Sequence, residues 1–294
     1  MKMNPECTPC LLRQAREAIA LSGVEVAAGF ALWERVERFM AQTDLSQPPP
    51  VLAQKLHRLI RQHSGNPDPY AAMKAQLNER ALRLYPEWHR RFRLAWPPLE
   101  AAVRMAIIGN LLDAGAKTQL DESAVRAAFE DALTAPLRGS VEAFARAIRQ
   151  ARQILYLADN TGEIVFDREL LAQLPLGRCT FAVRGGPVLN DATLANAKEA
   201  GIGDICEVIA NGSDAPGTLL ADRSPEFREH FHAADLVIAK GQGNYESLAG
   251  ADKSIFFLLK IKCDVLSRHL GWPRGSLVLH HSRNAAAPTA FPLM

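Results

Sequence analysis

Ile154-Leu155-Tyr156-Leu157-Ala158-Asp159-Asn160-Thr161-Gly162-Glu163 is the stretch on which the fold turns. Its first five residues form an unbroken apolar run. Such a run reads as a short strand buried on both faces, as in a parallel sheet covered by helices. It then breaks into polar and turn-forming residues that open onto a helical pattern. Similar runs recur over 179–183, 205–209, 236–239, 255–261 and 276–279, with helical spacing over 164–174, 191–200 and 225–232. Alternating strands and helices predict a doubly wound, mostly parallel α/β sheet of Rossmann-like form.

Upstream of Ile154 the apolar residues fall at helical spacing instead. Helices are expected over 10–21, 24–42, 51–63, 69–85, 99–114, 122–133 and 140–152. The expected organisation is a helical cap region over 1–150, an α/β domain over 151–282 and a loosely held tail over 283–294. The chain's 294 residues suffice for a substantial core. A net charge of +2 with 22% charged residues excludes the broad basic field of a nucleic-acid binder. No apolar run is long enough to span a bilayer. The start of the chain lacks the apolar segment of a signal peptide, so a cytoplasmic protein without a membrane partner is expected. Five cysteines without a secretion signal argue against a disulfide framework.

In open α/β sheets, ligands bind at the carboxyl ends of strands. Four of these ends carry chemistry. Asp159 and Asn160 offer the oxygen atoms that a hard divalent cation prefers, although Asp-Asn-Thr-Gly is equally good turn and N-cap chemistry. After the second run comes Arg184-Gly185-Gly186-Pro187-Val188-Leu189-Asn190-Asp191. Arg184 suits a phosphate or carboxylate, and Asp191 suits either a metal or a helix cap. Ala210 to Thr218 is a loop of small residues that a ligand could approach closely. Lys240-Gly241-Gln242-Gly243-Asn244 places a cation at a glycine-rich strand end. It lacks the third glycine of a dinucleotide fingerprint and the Gly-Lys-Ser/Thr of a phosphate-binding P-loop. Four such ends on one edge of one sheet are hard to explain as independent turns.

Together these motifs resemble the damage-control phosphatase family, long known as domain of unknown function 89, in its prokaryotic branch with an N-terminal Cys-x-x-Cys. The resemblance runs through Cys7-x-x-Cys10, Gly109-Asn110-x-x-Asp113, the four strand ends and Lys262-Cys263. It implies a metal-dependent phosphomonoester hydrolase acting on a small phosphorylated metabolite, such as a sugar phosphate. Asp159, Asn160 and Asp191 match the family's metal ligands, with Mg²⁺, Mn²⁺, Co²⁺ or Ni²⁺ as candidate cations. Glu163 and Asn190 fall in the same motifs, and Arg184, Lys240 and Asn244 would contact phosphate. Asn110 and Asp113 would reach the pocket from their helix. Asp159, Arg184 and Lys240 are the residues expected to carry catalysis, by attack of a metal-bound water rather than through an aspartyl phosphate. Cys7, Cys10 and Cys263 could bind zinc, act in redox chemistry or simply pack. Two rival readings stay open: an S-adenosylmethionine-dependent carboxyl methyltransferase, and a non-catalytic phosphometabolite-binding module.

Overall fold

A computed structural model describes residues 1–94, 97–110 and 122–283. Asp113 and the tail beyond Arg283 lie outside them. Seven strands form one sheet in the order β1-β7-β6-β5-β2-β3-β4. They are β1 (Leu137–Arg138), β2 (Ile154–Leu157), β3 (Cys179–Val183), β4 (Glu207–Ala210), β5 (Leu236–Lys240), β6 (Ile255–Lys260) and β7 (Leu277–His281). Neighbours pair in parallel except β6 with β7. The chain winds outward from β2 through β3 to β4, then returns to the other side of β2 as β5. The carboxyl ends of β2 and β5 therefore flank the topological switch point, where doubly wound sheets open a crevice.

Every residue of β2 and of β5 is buried, which is the condition that produces unbroken apolar runs. Two short helices, Gly241–Leu248 and Asp264–Leu270, and the two-residue β1 escape a periodicity reading. Gly241-Gln242-Gly243-Asn244 has poor helix propensity, and packing of this helix against β6 and the Pro49–Ser64 helix overrides it. The helix read as ending at Tyr85 instead runs Ala71–Arg93, straight through Pro86. Burial of Trp88 and Phe92 against the sheet's covering core outweighs the roughly 3 kcal/mol that an interior proline costs.

The helices before residue 150 divide between two cores. Those from Leu77 onward pack on one face of the sheet, with Met105, Phe129 and Phe144 in the same core as Tyr156 and Phe181. The three leading helices, Thr8–Leu21, Val26–Ala41 and Pro49–Ser64, enclose a separate core of Leu11, Leu32, Val36, Leu56 and Ile60. A polar clamp fastens this bundle to the sheet. Asp214, in the loop after β4, accepts from Gln54 Nε2 at 2.8 Å, from Arg58 Nε at 2.9 Å and from Arg61. Arg61 also donates to the Pro187 carbonyl at 2.8 Å. The small-residue loop read as a ligand approach therefore serves as an anchor point. Burial alone would push the Asp214 carboxyl up, but the Arg58 and Gln54 donors outweigh it and hold it low. Its contribution is thus present at neutral pH and is lost as pH falls below the ordinary carboxylate range. Asp214→Ala is expected to cost about 1–3 kcal/mol in urea unfolding at pH 7, and much less at pH 3.

Candidate active site

Beyond their last paired residues, β2 and β3 are joined by a backbone bridge between Asn160 and Asp191. Thr161 N donates to the Asn190 carbonyl and Ala192 N to the Asp159 carbonyl, each at 2.8 Å. This bridge brings Asp159, Asn160 and Asp191 side by side. Neither competing local role is used. The helix after Asn160 starts at Gly162 without a side-chain cap, and the helix after Asp191 is capped by Thr193 in a capping box with Asn196. Neither helix is capped by the Asp159, Asn160 or Asp191 side chain.

Two glycines make the approach possible. Gly162 takes a φ of +81°, and an added Cβ would meet the Leu77 carbonyl at 2.8 Å. Gly241 takes a φ of +77°, and a Cβ there would fall on the Asp159 carboxylate. Leu189 is the non-glycine exception, with φ +45° immediately before Asn190. L-residues adopt that region at a cost of roughly 1–2 kcal/mol.

Arg184 is 2% exposed and donates to Asp191 Oδ2 at 2.6 Å and to Asn244 Oδ1 at 3.2 Å, with Asp159 Oδ1 at 3.5 Å. Asn244 in turn donates to the Ala158 and Lys240 carbonyls, locking β2 to β5. Lys240 is wholly buried and donates to Glu163 Oε1 at 2.6 Å and Asp167 Oδ1 at 2.5 Å. Glu163 Oε2 accepts from Asn110 Nδ2 at 2.5 Å and faces Asn160 Nδ2 at 3.4 Å. The expected phosphate contacts Arg184, Lys240 and Asn244 thus sit behind the cleft surface, engaged with the protein's own polar groups. The strand-end position indicated a charged site, but which partner each cation takes is settled by residues far away in sequence.

The connected buried network holds four carboxylates, Asp159, Glu163, Asp167 and Asp191, against two cations, Arg184 and Lys240. Fully ionised, it carries two uncompensated negative charges. Burial, then repulsion from Glu163 and Asp191, pushes the Asp159 carboxyl well above its ordinary range. Asp167 is pushed up to about 6, chiefly by burial. One divalent cation would balance this excess, and the carboxylate and amide oxygens present are those a hard cation takes. The set is two carboxylates and an amide. Among the described residues no three of His, Cys, Asp and Glu converge into a ready-made metal site.

In front of these residues lies a cleft of about 310 Å³ between the leading bundle and the sheet. Asp159, Asn160, Asn190 and Asp191 line one side, and Cys7, Cys10 and Arg13 the other. Among the described residues, Asn190 Nδ2 is buried without a hydrogen-bond partner. Cys263 joins Cys7 and Cys10 at the cleft, and all five thiols are free. Asn110 lines a small adjoining cavity with Glu163 and Lys262. Asp167 and Glu246 escape sequence reading. The signal for Asp167 is its position four residues after Glu163, on the same side of a helix whose residues are buried except Arg168. Lys262 appears in sequence only through the family motif, yet it is the exposed lysine that lines the cleft itself. A larger hollow of about 460 Å³, lined by Arg152, Cys179 and His230, opens at the opposite end of the strands, away from these groups.

Glu246 supplies a pH test. It is 7% exposed, and burial pushes its carboxyl up to about 7 against the Gln242 donor at 2.6 Å. A raised carboxyl pKa favours the fold at low pH, and the advantage is lost as pH rises from about 4.5 through 7. Glu246→Gln is expected to flatten the stability profile over that window, leaving the variant about 2–3 kcal/mol ahead at pH 8. Unfolding curves from pH 5 to pH 8 check this.

Fold and site define a Rossmann-like α/β protein with an acidic cleft at the switch point of its sheet. The damage-control phosphatase ARMT1-like domain model matches residues 3–278. A damage-control phosphatase of Pyrococcus horikoshii is 33% identical over 95% of this chain and 97% of its own. A second, from Archaeoglobus fulgidus, is 33% identical over 95% and 98%. The crystal structure of a DUF89 family protein from Pyrococcus horikoshii superposes with a TM-score of 0.89 at 29% identity, covering 96% of this chain and all of the other. The chain belongs to the damage-control phosphatase ARMT1-like family, as its motifs led one to expect. Among the described residues, no helix is long and apolar enough to cross a membrane.

Proposed function

We propose that this protein is a divalent-cation-dependent phosphatase that hydrolyses a small phosphorylated metabolite, with Asp159, Asn160 and Asp191 as the cation's ligands. The observation that carries the reading is a buried network of four carboxylates against two cations, opening on a metabolite-sized cleft at the switch point. A bound cation would neutralise phosphoryl oxygens and lower the pKa of the attacking water. Arg184 holds Asp191, and through it the ligand set, in place from behind. Asn190 Nδ2, unpaired and on the cleft wall, is a donor for a phosphoryl oxygen. Lys262 provides a positive charge at the same wall, where it also acts on Asp159. These groups stabilise charge that spreads over the equatorial oxygens in phosphoryl transfer. The leading bundle closes the far side of the cleft and restricts the size of the leaving group.

The test is release of phosphate from p-nitrophenyl phosphate by metal-stripped protein, with EDTA or with Mg²⁺, Mn²⁺, Co²⁺ or Ni²⁺ restored. Turnover is expected only with a cation. No phosphate from any phosphomonoester in a metabolite panel, with any of these cations, would defeat the reading. A phosphoenzyme trapped on Asp159 would replace direct attack by water.

A further inference from the structure

Behind the cleft, Asp167 has no contact with the space a substrate could occupy. It lies on the Glu163–Leu171 helix one turn beyond Glu163, so both carboxylates face the same way. Lys240 Nζ sits between them, 2.5 Å from Asp167 Oδ1 and 2.6 Å from Glu163 Oε1, and all three side chains are sealed from solvent. Asp167 Oδ2 has no hydrogen-bond donor among the described residues. The Tyr156 hydroxyl lies beside this carboxylate outside good hydrogen-bond geometry, near enough to interact with it and hold its pKa down. Burying an ion pair seldom repays its desolvation, so stability alone is a poor account of it.

Asp167 does hold one end of a chain of contacts that reaches the site. Lys240 fixes Glu163 by one oxygen. The other oxygen receives Asn110 Nδ2 at 2.5 Å and faces Asn160 Nδ2 at 3.4 Å. Asn160 Nδ2 also faces Asp159 Oδ2 at 3.3 Å. With its amide nitrogen turned to two carboxylates, Asn160 keeps its carbonyl oxygen for the cleft that it lines. That is the atom a hard cation takes.

We propose that Asp167 is a positioning residue: it locks Lys240 on Glu163, Glu163 thereby orients the Asn160 amide, and the affinity of the site for a divalent cation depends on this relay. The inference rests on the cation reading of the site. Replacing Asp167 by Asn keeps the shape but removes the second carboxylate that fixes the position of Lys240 Nζ beside Glu163. It also removes one of the two excess negative charges, so both consequences weaken the site.

The experiment is calorimetric titration of Mn²⁺ into metal-stripped wild type, D167N and the charge-balanced double variant D167N/K240M, with steady-state kinetics alongside. Mn²⁺ is expected to bind D167N at least tenfold more weakly. At saturating Mn²⁺, kcat falls while KM for p-nitrophenyl phosphate stays near wild type. The double variant keeps the network's net charge at the wild-type value, yet its Mn²⁺ affinity stays low because Glu163 has lost its anchor. Wild-type affinity in D167N or in the double variant overturns the proposal. Should D167N not fold, the double variant decides by the same criterion. A wild-type protein that takes up no Mn²⁺ defeats the site reading itself, which keeps the two failures apart.

Discussion

Asp159→Asn is expected to lower phosphatase turnover about a thousandfold, some 4 kcal/mol of transition-state stabilisation, while making the metal-free protein more stable. The two effects have one cause. Asp159 is buried against Glu163 and Asp191, and its carboxyl is held well above the ordinary range by burial first and by those neighbours second. For a carboxyl raised in this way, the fold is favoured below the ordinary carboxylate range and penalised as pH rises above it. The amide removes that penalty at neutral pH and removes the charge a cation needs. Thermal unfolding in EDTA at pH 7 should therefore show a higher Tm for the variant. With Mn²⁺ present the order should reverse, because only the wild type gains from binding. A variant that keeps its turnover, or one that is destabilised in EDTA, would show that Asp159 is not held in a strained, cation-seeking site.

Arg184→Met is expected to cost about 3–5 kcal/mol, the range for removing one partner of a buried ion pair and leaving the other unpaired. Arg184 is almost fully buried and is the cation in direct contact with Asp191, at 2.6 Å, with Asp159 Oδ1 at 3.5 Å. Its loss also strips a donor from Asn244, which ties β2 to β5. Lysine should not rescue it, since one ammonium cannot reproduce the guanidinium's reach to three acceptors. The loss should be partly reversed by millimolar Mn²⁺, because a cation between Asp159 and Asp191 replaces the missing positive charge. Urea unfolding with EDTA and with Mn²⁺ measures both parts. An effect below about 1 kcal/mol in EDTA would mean the pair adds little to the fold.

Much of this was legible in the sequence because it is local. A strand buried on both faces is an unbroken apolar run, so β2, β3, β5 and β6 can be read directly from 154–158 and its repeats, whereas edge strand β4 has Glu207 exposed and only Ile209 buried. Strand-end polarity likewise marked Asp159, Asn160 and Asp191, since a doubly wound sheet brings those ends to one edge. The bridge between Asn160 and Asp191 sets these residues side by side, and Thr193 takes the cap role read as an alternative for Asp191, neither of which sequence spacing could show. The helix Gly241–Leu248 and the helix through Pro86 were missed because tertiary packing outweighs their weak or adverse local propensities.

Pairing of the buried charges was the part sequence could not supply. Lys240 and Glu163 lie 77 residues apart, and nothing near Lys240 says that it will be claimed by Glu163 and Asp167 instead of facing the cleft. The same holds for Asp214, which a small-residue loop presents to Gln54, Arg58 and Arg61 from the leading bundle. Periodicity and strand-end composition are set by neighbours a few residues away, and the sequence alone determined most of the strands and helices and the sheet edge where the polar strand ends gather. Partner choice among ions depends on which side chains burial brings within about 3 Å, where low dielectric makes each pairing decisive. That was decided only by the tertiary structure, which withdrew Arg184 and Lys240 into the protein and left Asp159, Asn160, Asn190, Asp191 and Lys262 at the cleft.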